Sequence, residues 1–357
     1  MAESNQAFSN ILIRWYERHK RDLPWRETKD PYAIWLSEII LQQTRVAQGL
    51  PYFQKFIARF PAVGSLAQAS QEEVLALWQG LGYYSRARNL HACAQMVASQ
   101  YDGKFPNTYK ELLQLKGVGA YTAAAIASFA FNEAVPVVDG NVYRVVSRVF
   151  GLHDDISNAS TRKVFEGRLV SLIPSDTPGE FNQAIMEFGA LHCTPSAPDC
   201  KNCVFSHSCF AFRNNEVANL PVKTKKVKVL NRYFNYFVFQ FGEEVLMGSR
   251  KDKDIWLGLH DFFIREKDEL LDEDAALGEV KRLISPESWE LIDISATYKH
   301  VLTHRIIYAR FFRVRILMHE DFRLLSERLG LNTISISDTA GISKPVLIAN
   351  YLNDTLF

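Results

Sequence analysis

Four of the five cysteines in this 357-residue chain fall within seventeen residues. They are Cys193, Cys200, Cys203 and Cys209, spaced C-x6-C-x2-C-x5-C, and only Cys93 lies elsewhere. Thiols grouped this closely make a complete ligand set for one metal site. Pro195, Pro198, Asp199 and Asn202 in the same segment favour the turns that wrap a chain around a metal. Two other readings stay open. Disulfides fit poorly, because a chain of this length needs no staples and shows no secretory signature. Structural zinc is the stronger rival, although zinc sites usually join two short C-x2-C hooks across a longer loop.

The length suggests two domains, and 47% apolar residues are enough for real cores. No run approaches eighteen consecutive apolar residues, so no membrane span is expected. Met1 to Asn10 lacks a basic stretch followed by an apolar one. No signal peptide is expected there, and a reducing cytoplasm suits thiolate ligands. Net charge is +1, with 21 Lys+Arg and 20 Asp+Glu in residues 1–222, which leaves 20 and 20 beyond. Any nucleic-acid partner must therefore be held by local charge and backbone donors, not by bulk charge.

Residues 8–213 read as helical. Phe8, Ile11, Leu12 and Trp15 repeat at helical spacing, as do Val74, Leu77, Trp78 and Leu81, and Phe181, Ala184, Ile185 and Phe188. After Pro221 the texture changes. Lys223, Lys225, Lys226 and Lys228 mark a solvated linker, and 233–241 is rich in aromatic and β-branched residues, as strands are. Gly242 to Glu244 makes a turn from which Val245 to Arg250 returns; 306–317 is another strand, and helices are expected near 273–284 and 344–356. The second domain is therefore α+β.

Within the helical part, Gly117-Val118-Gly119 separates an apolar stretch from an Ala-rich helix. The glycines allow a tight turn, and the unpaired N–H groups opening the second helix favour a phosphate. An ordinary helix–helix turn explains such a motif equally well. Glu38 sits in the apolar run Ile34 to Leu41, where burial would raise its pKa. On their own, Glu38 also reads as a surface helix residue and Asp139 as a helix N-cap.

Taken together these segments carry a resemblance. The cysteine pattern is similar to the iron–sulfur loop of the endonuclease III superfamily of DNA glycosylases. Residues 115–123 (LKGVGAYTA) and 138–142 (VDGNV) resemble its helix-hairpin-helix and following aspartate. Residues 36–44 (LSEIILQQT) and 80–84 (GLGYY) resemble MutY-type adenine DNA glycosylases, and the likeness is strong over about 8–215.

The resemblance implies a [4Fe–4S] cluster on the four cysteines. It implies two catalytic carboxyls, as cleavage of a glycosidic bond needs acid help to the leaving group and negative charge facing the cationic sugar. Glu38 would protonate adenine at N7 and then handle the water. Asp139 would stabilise the oxocarbenium-like sugar, with Tyr121 and Asn141 orienting it. Relatives that cut the strand carry Lys where this chain has Tyr121, so a monofunctional enzyme is expected. Trp25, Arg26 and Gln183 would line the adenine pocket, although relatives often have Glu at the position of Gln183. Gln43, Thr44, Leu81 and Tyr83 would enter the duplex as the base is flipped; core packing is the plain alternative for Leu81. Gly117 and Gly119 would hold phosphate, with Lys116 where relatives usually have Pro.

The same resemblance extends more weakly to the C-terminus. There 256–263 is similar to a stretch of the MutY C-terminal domain, which resembles a Nudix fold, but the R-E-x-x-E-E metal helix of Nudix hydrolases is absent. Thr303 and His304 take the place of a Ser-His pair that contacts 8-oxoguanine. The expected architecture is an all-α glycosylase domain over 1–215 with an iron–sulfur loop, a linker over 216–231, and an α+β Nudix-like recognition domain over 232–357. The expected partner is double-stranded DNA with 8-oxoguanine·adenine or guanine·adenine mispairs. The protein would act as a monomer in the cytoplasm, at the nucleoid and not at a membrane. Two rivals are an endonuclease III-like lyase for oxidised pyrimidines and a non-catalytic mismatch-binding protein.

Overall fold

The structure is a computed structural model that describes residues 2–225 and 229–355. Its contacts divide the chain into two compact units, Met1–Gln68 with Asn89–Lys225, and Ala69–Arg88 with Lys226–Phe357.

The helices of the first part of the chain are α1 (Ala2–His19), α2 (Pro31–Leu41), α3 (Val46–Arg59), α4 (Val63–Gln68), α5 (Gln71–Leu77), α6 (Ser85–Gln100), α7 (Tyr109–Leu112), α8 (Ala120–Phe131), α9 (Gly140–Phe150), α10 (Thr161–Val170), α11 (Pro178–Leu191) and α12 (Phe210–Arg213). Among the described residues no strand precedes Leu230. The core of the first unit joins α1, α9, α10 and α11 around Leu12, Val145, Phe165, Phe181 and Phe188, and Phe205 and Cys209 of the cysteine loop pack into it. Helix ends follow local chemistry: Pro31 opens α2 behind an Asp30 cap, and α9 ends at Gly151 in the left-handed conformation. The segment expected to be a linker is held on this unit as far as Lys225. Leu220 is buried, the amide of Ile156 donates to the carbonyl of Val222 at 3.0 Å, and the Thr224 hydroxyl bonds Asp155. Lys226 and Lys228 lie outside the described residues.

The second unit holds an eight-stranded sheet: β1 (Leu230–Phe241), β2 (Glu244–Ser249), β3 (His260–Asp261), β4 (Phe263–Lys267), β5 (Trp289–Ile294), β6 (Tyr298–Val301), β7 (Arg305–Ile316) and β8 (Asn332–Ser335). The order is β3-β2-β1-β7-β5, with β4 on β1, β6 on β7 and β8 on β2. Among the described residues only β1 and β7 run parallel; they pair over eleven residues and, at twelve residues each, are the longest strands there. One face of the sheet packs Phe237, Phe239, Phe312 and Val314 against α13 (Glu273–Lys281) and α14 (His319–Leu329). On the other face Phe311 stacks on Tyr351 of α15 (Val346–Thr355), ring centroids 3.9 Å apart. Helix α5 and the segment after it group with this unit, which the linear reading does not show. Leu356, at the end of the expected 344–356 helix, lies outside the described residues.

Candidate active site

Helix α2 is buried over nine consecutive residues, Tyr32 to Ile40. A helix apolar on every side belongs inside, and Glu38 is carried in with it, 7% exposed. Burial raises its carboxyl to about 7; a hydrogen bond from Tyr121 and the charge of Arg26 pull it down, and the negative charge of Asp139 pushes it up. The Tyr121 hydroxyl donates to Glu38 Oε2 at 2.6 Å. Burial also lifts the Tyr121 phenol well above its ordinary value. Near neutral pH, Glu38 is therefore poised between acid and base.

Asp139 is the N-cap of α9. Its Oδ1 accepts from the amide of Val142 at 2.7 Å and its Oδ2 from Asn141 Nδ2 at 2.8 Å. Burial raises its pKa while those bonds and Arg144 oppose the rise. Asp139 thus caps α9 while its negative charge acts on Glu38. Behind it, Arg144 Nη2 donates to Asn141 Oδ1 and to the carbonyl of Gly189, both at 2.8 Å, and Arg144 Nε donates to the carbonyl of Cys193 at 2.7 Å. One guanidinium thereby ties the cysteine loop to Asn141 and so to Asp139. A Cβ on Gly189 would lie 2.7 Å from that of Asn141, so the close approach of α11 to α9 needs glycine there.

The face of α11 carrying Gln183, Met186 and Glu187 completes the site. Met186 Sδ lies 3.7 Å from the Tyr121 hydroxyl, and Tyr16 donates to Gln183 Oε1 at 2.6 Å. Glu187, 1% exposed, accepts from Arg21 at 2.8 and 2.6 Å and from Arg26 at 3.0 and 2.7 Å. Burial raises the Glu187 carboxyl, but the bonds from the two arginines outweigh it and hold it at about 2. Trp25 is buried edge-on to Phe53, centroids 5.1 Å apart. Tyr16, Arg21, Arg144 and Glu187 escaped the sequence reading. An acid four residues after Gln183 in an apolar helix was the only available signal, for Glu187.

At the hairpin, α7 is a single turn capped by Thr108. Gly117 has φ +73°, and a Cβ there would strike Asn89 at 2.7 Å, so glycine is required. Gly119 caps α8, and Lys116 is exposed. Gln43 is exposed with φ 58°, beside half-buried Thr44. In the second unit Leu81 is buried, while Tyr83 is 46% exposed with φ 50°. A left-handed backbone at a bulky residue is costly and clusters at functional sites. Thr303 and His304 form the two-residue tip of the β6–β7 hairpin, closed by the amide of Leu302 donating to the carbonyl of Arg305 at 2.8 Å. The Thr303 hydroxyl is hydrogen-bonded to that of Tyr83.

All four clustered cysteines are free thiols lining one pocket with Arg148, Phe188 and His192. Arg148 Nη1 lies 3.5 Å from Cys193 Sγ, and the amide of Phe205 lies 3.4 Å from Cys203 Sγ. Burial, with the neighbouring sulfurs, raises the thiols of Cys200, Cys203 and Cys209, so positive charge is needed to hold them as thiolates. Among the described residues no three His, Cys, Asp or Glu side chains are grouped tightly enough for one ion.

Glu38, bonded to Tyr121 and subject to the charge of Asp139, is thus a buried carboxyl held near neutrality in the helical unit. Residues 36–170 match the family model of HhH-GPD superfamily base excision DNA repair proteins. A thermostable thymine-DNA glycosylase of solved structure matches 59% of this chain and 98% of its own, with TM-score 0.55 and 29% identity. The adenine DNA glycosylase of Buchnera aphidicola subsp. Schizaphis graminum is 36% identical over 261 residues, 72% of this chain and 74% of its own. That of Buchnera aphidicola subsp. Baizongia pistaciae is 34% identical over 306 residues, 85% and 84%. The chain belongs to the adenine DNA glycosylases, enzymes of base excision repair that cleave an N-glycosidic bond of DNA.

Proposed function

We propose that this chain excises adenine paired with 8-oxoguanine or guanine, by hydrolysis and without cutting the strand. The observation that carries the proposal is the buried Glu38 carboxyl, held near 7 and bonded to Tyr121, with Asp139 acting on it electrostatically. In its acid form Glu38 delivers a proton to N7 of the flipped adenine as the glycosidic bond breaks. The electron pair leaves with the base. Asp139, ionised and fixed by Val142 and Asn141, faces the cationic sugar. Glu38, now a carboxylate, takes the proton of the water that attacks the sugar. Arg26, fixed by Glu187, and Gln183, fixed by Tyr16, line the base pocket with Trp25. Tyr121 has no amine for a Schiff base, so the lyase reaction of relatives with lysine is missing.

Cys193, Cys200, Cys203 and Cys209 would hold a [4Fe–4S] cluster, which supplies cationic iron to the four thiolates and keeps the loop folded. Gly117 to Gly119 hold the phosphate backbone, and Gln43, Thr44, Leu81 and Tyr83 serve the opened stack. The second unit, Nudix-like in this proposal, reads the opposite base with Thr303 and His304. The expected setting is the nucleoid, with the protein monomeric.

The test is a duplex with one 8-oxoguanine·adenine pair. Alkali should reveal breaks at the adenine, and breaks without alkali should be few. Cleavage at a pyrimidine, or strand scission without alkali, contradicts the proposal.

A further inference from the structure

Cross-strand pairing brings four side chains into one row on the sheet of the second unit. Lys299 of β6 is opposite Tyr308 of β7, Tyr308 is beside Tyr233 of β1, and Tyr233 is opposite Lys267 of β4. Directly paired residues point to the same face, so the row reads Lys-Tyr-Tyr-Lys across four strands. The rings of Tyr233 and Tyr308 stack, 5.4 Å apart and 17° from parallel, and Lys299 Nζ lies 5.9 Å from the Tyr308 centroid. Rings stacked on each other across strands stand up from the sheet. Both tyrosines are half-buried, both lysines are exposed, and neither phenol has a hydrogen-bond partner among the described residues.

Further along the same face, Arg310 and Arg265 flank the buried Asn235 in the next paired row. Glu279 is the acid that meets this cluster; it pairs with Lys267 at 3.1 Å and Arg265 at 3.3 Å. Lys299 has no ion pair among the described residues, and its ammonium is free for a ligand. Glu266 and Asp254 engage Arg232, which points to the opposite face. In the other direction the row runs into the hairpin tip. Val301, 65% exposed, and Ile306 form the next pair, and Thr303 and His304 follow.

We propose that Lys299, Tyr308, Tyr233 and Lys267 form a phosphate-docking strip for the DNA strand whose base meets the β6–β7 hairpin tip. The inference rests on the reading of that tip given above. Phenol hydroxyls and ammonium groups are donors without sequence preference, as phosphate contacts require. Four strands at about 4.8 Å spacing make a row about 14 Å long. That equals roughly four steps of a DNA strand at about 3.4 Å of rise each. The strip sits within four residues of Thr303 on the β6 side and five on the β7 side, so it lies within about 17 Å of the tip along either strand. It fixes the register of the strand while the tip reads the base.

The test uses the full-length protein and catalytically unproductive duplexes that carry 8-oxoguanine opposite a non-cleavable adenine analogue. Affinity is measured against salt for the parent, Lys299→Gln, and the double variant Tyr233→Phe with Tyr308→Phe. The phenylalanines keep the stacked rings, and circular dichroism confirms folding of each protein. Lys299→Gln should weaken binding severalfold and reduce the slope of log K against log salt by about 0.9, one phosphate contact. The double variant should weaken binding further at low salt. The preference for 8-oxoguanine over guanine should be retained, because the tip is untouched. Parental affinity and slope in both variants overturn the strip and leave the enzymatic reading standing. A parent that binds no mismatched duplex overturns that reading instead. If an acidic peptide displaces DNA as well as unmodified duplex does, the strip is a protein-docking site and the inference also fails.

Discussion

The Tyr121 hydroxyl donates to the Glu38 carboxylate across 2.6 Å, linking a half-buried residue of α8 to a buried one of α2. That bond favours the ionised form of an acid whose burial favours the neutral one. The balance leaves Glu38 at about 7.

A pH dependence follows. The proton donor is the neutral acid, so single-turnover excision should be level at lower pH and fall above about 7. Tyr121→Phe removes the interaction that lowers the Glu38 pKa, so the alkaline limb should move to higher pH. The pH–rate profiles of both proteins check this. A limb that moves to lower pH contradicts the assignment.

Glu187 acts on stability as well as on Arg26. Its carboxyl is depressed to about 2 from an ordinary 4.5. Its contribution is therefore present above about 4.5 and is lost as pH falls towards 2. Glu187→Ala leaves two guanidinium groups without their shared partner and should cost about 3 kcal/mol at pH 7. Urea unfolding at pH 7 and pH 4 should show the gap narrowing at the lower pH. An equal gap at both would remove the electrostatic explanation.

Arg144 should matter although it touches neither base nor sugar. Arg144→Met removes the donors to Asn141 Oδ1 and to the carbonyls of Gly189 and Cys193. Asn141 then no longer fixes Asp139, and excision should fall about 10- to 100-fold, on the scale of about 1.4 kcal/mol per decade. Binding of mismatched duplex should fall much less. Equal losses in binding and in rate would point to a purely structural role.

Tyr121→Lys places an amine beside Glu38. Borohydride should then trap a covalent complex with DNA, whereas the parent should give little. Strong trapping by the parent would mean that another lysine performs the chemistry.

Much of this was legible in the chain. The aromatic run at 233–241 and the alternation at 306–317 became β1 and β7, because long strands at the centre of a sheet impose their pattern on sequence. Strands β4, β5, β6 and β8 have six residues or fewer and half-exposed faces, which leaves little periodicity to read. Helix α14 was missed, although His319 to Leu329 pairs Phe322 with Leu325 on one buried face. At the site, Glu38 drew notice as a charge in an apolar run. The bond between Tyr16 and Gln183 and those between Arg21 and Glu187 join positions more than 160 residues apart, and no local pattern encodes them. Arg144 looks like any arginine of an amphipathic helix until α11 closes over it. The grouping of 69–88 with the second unit depends likewise on contacts remote in sequence.

The most direct measurement is single-turnover release of adenine from an 8-oxoguanine·adenine duplex by Glu38→Gln, with duplex binding determined on the same samples. The amide keeps the size of the acid and an acceptor for Tyr121 but has no proton to give. Excision should fall about 10²- to 10⁴-fold, the usual worth of a general acid, while binding stays near parental. A rate within threefold of the parent would contradict the role of Glu38 as the proton donor.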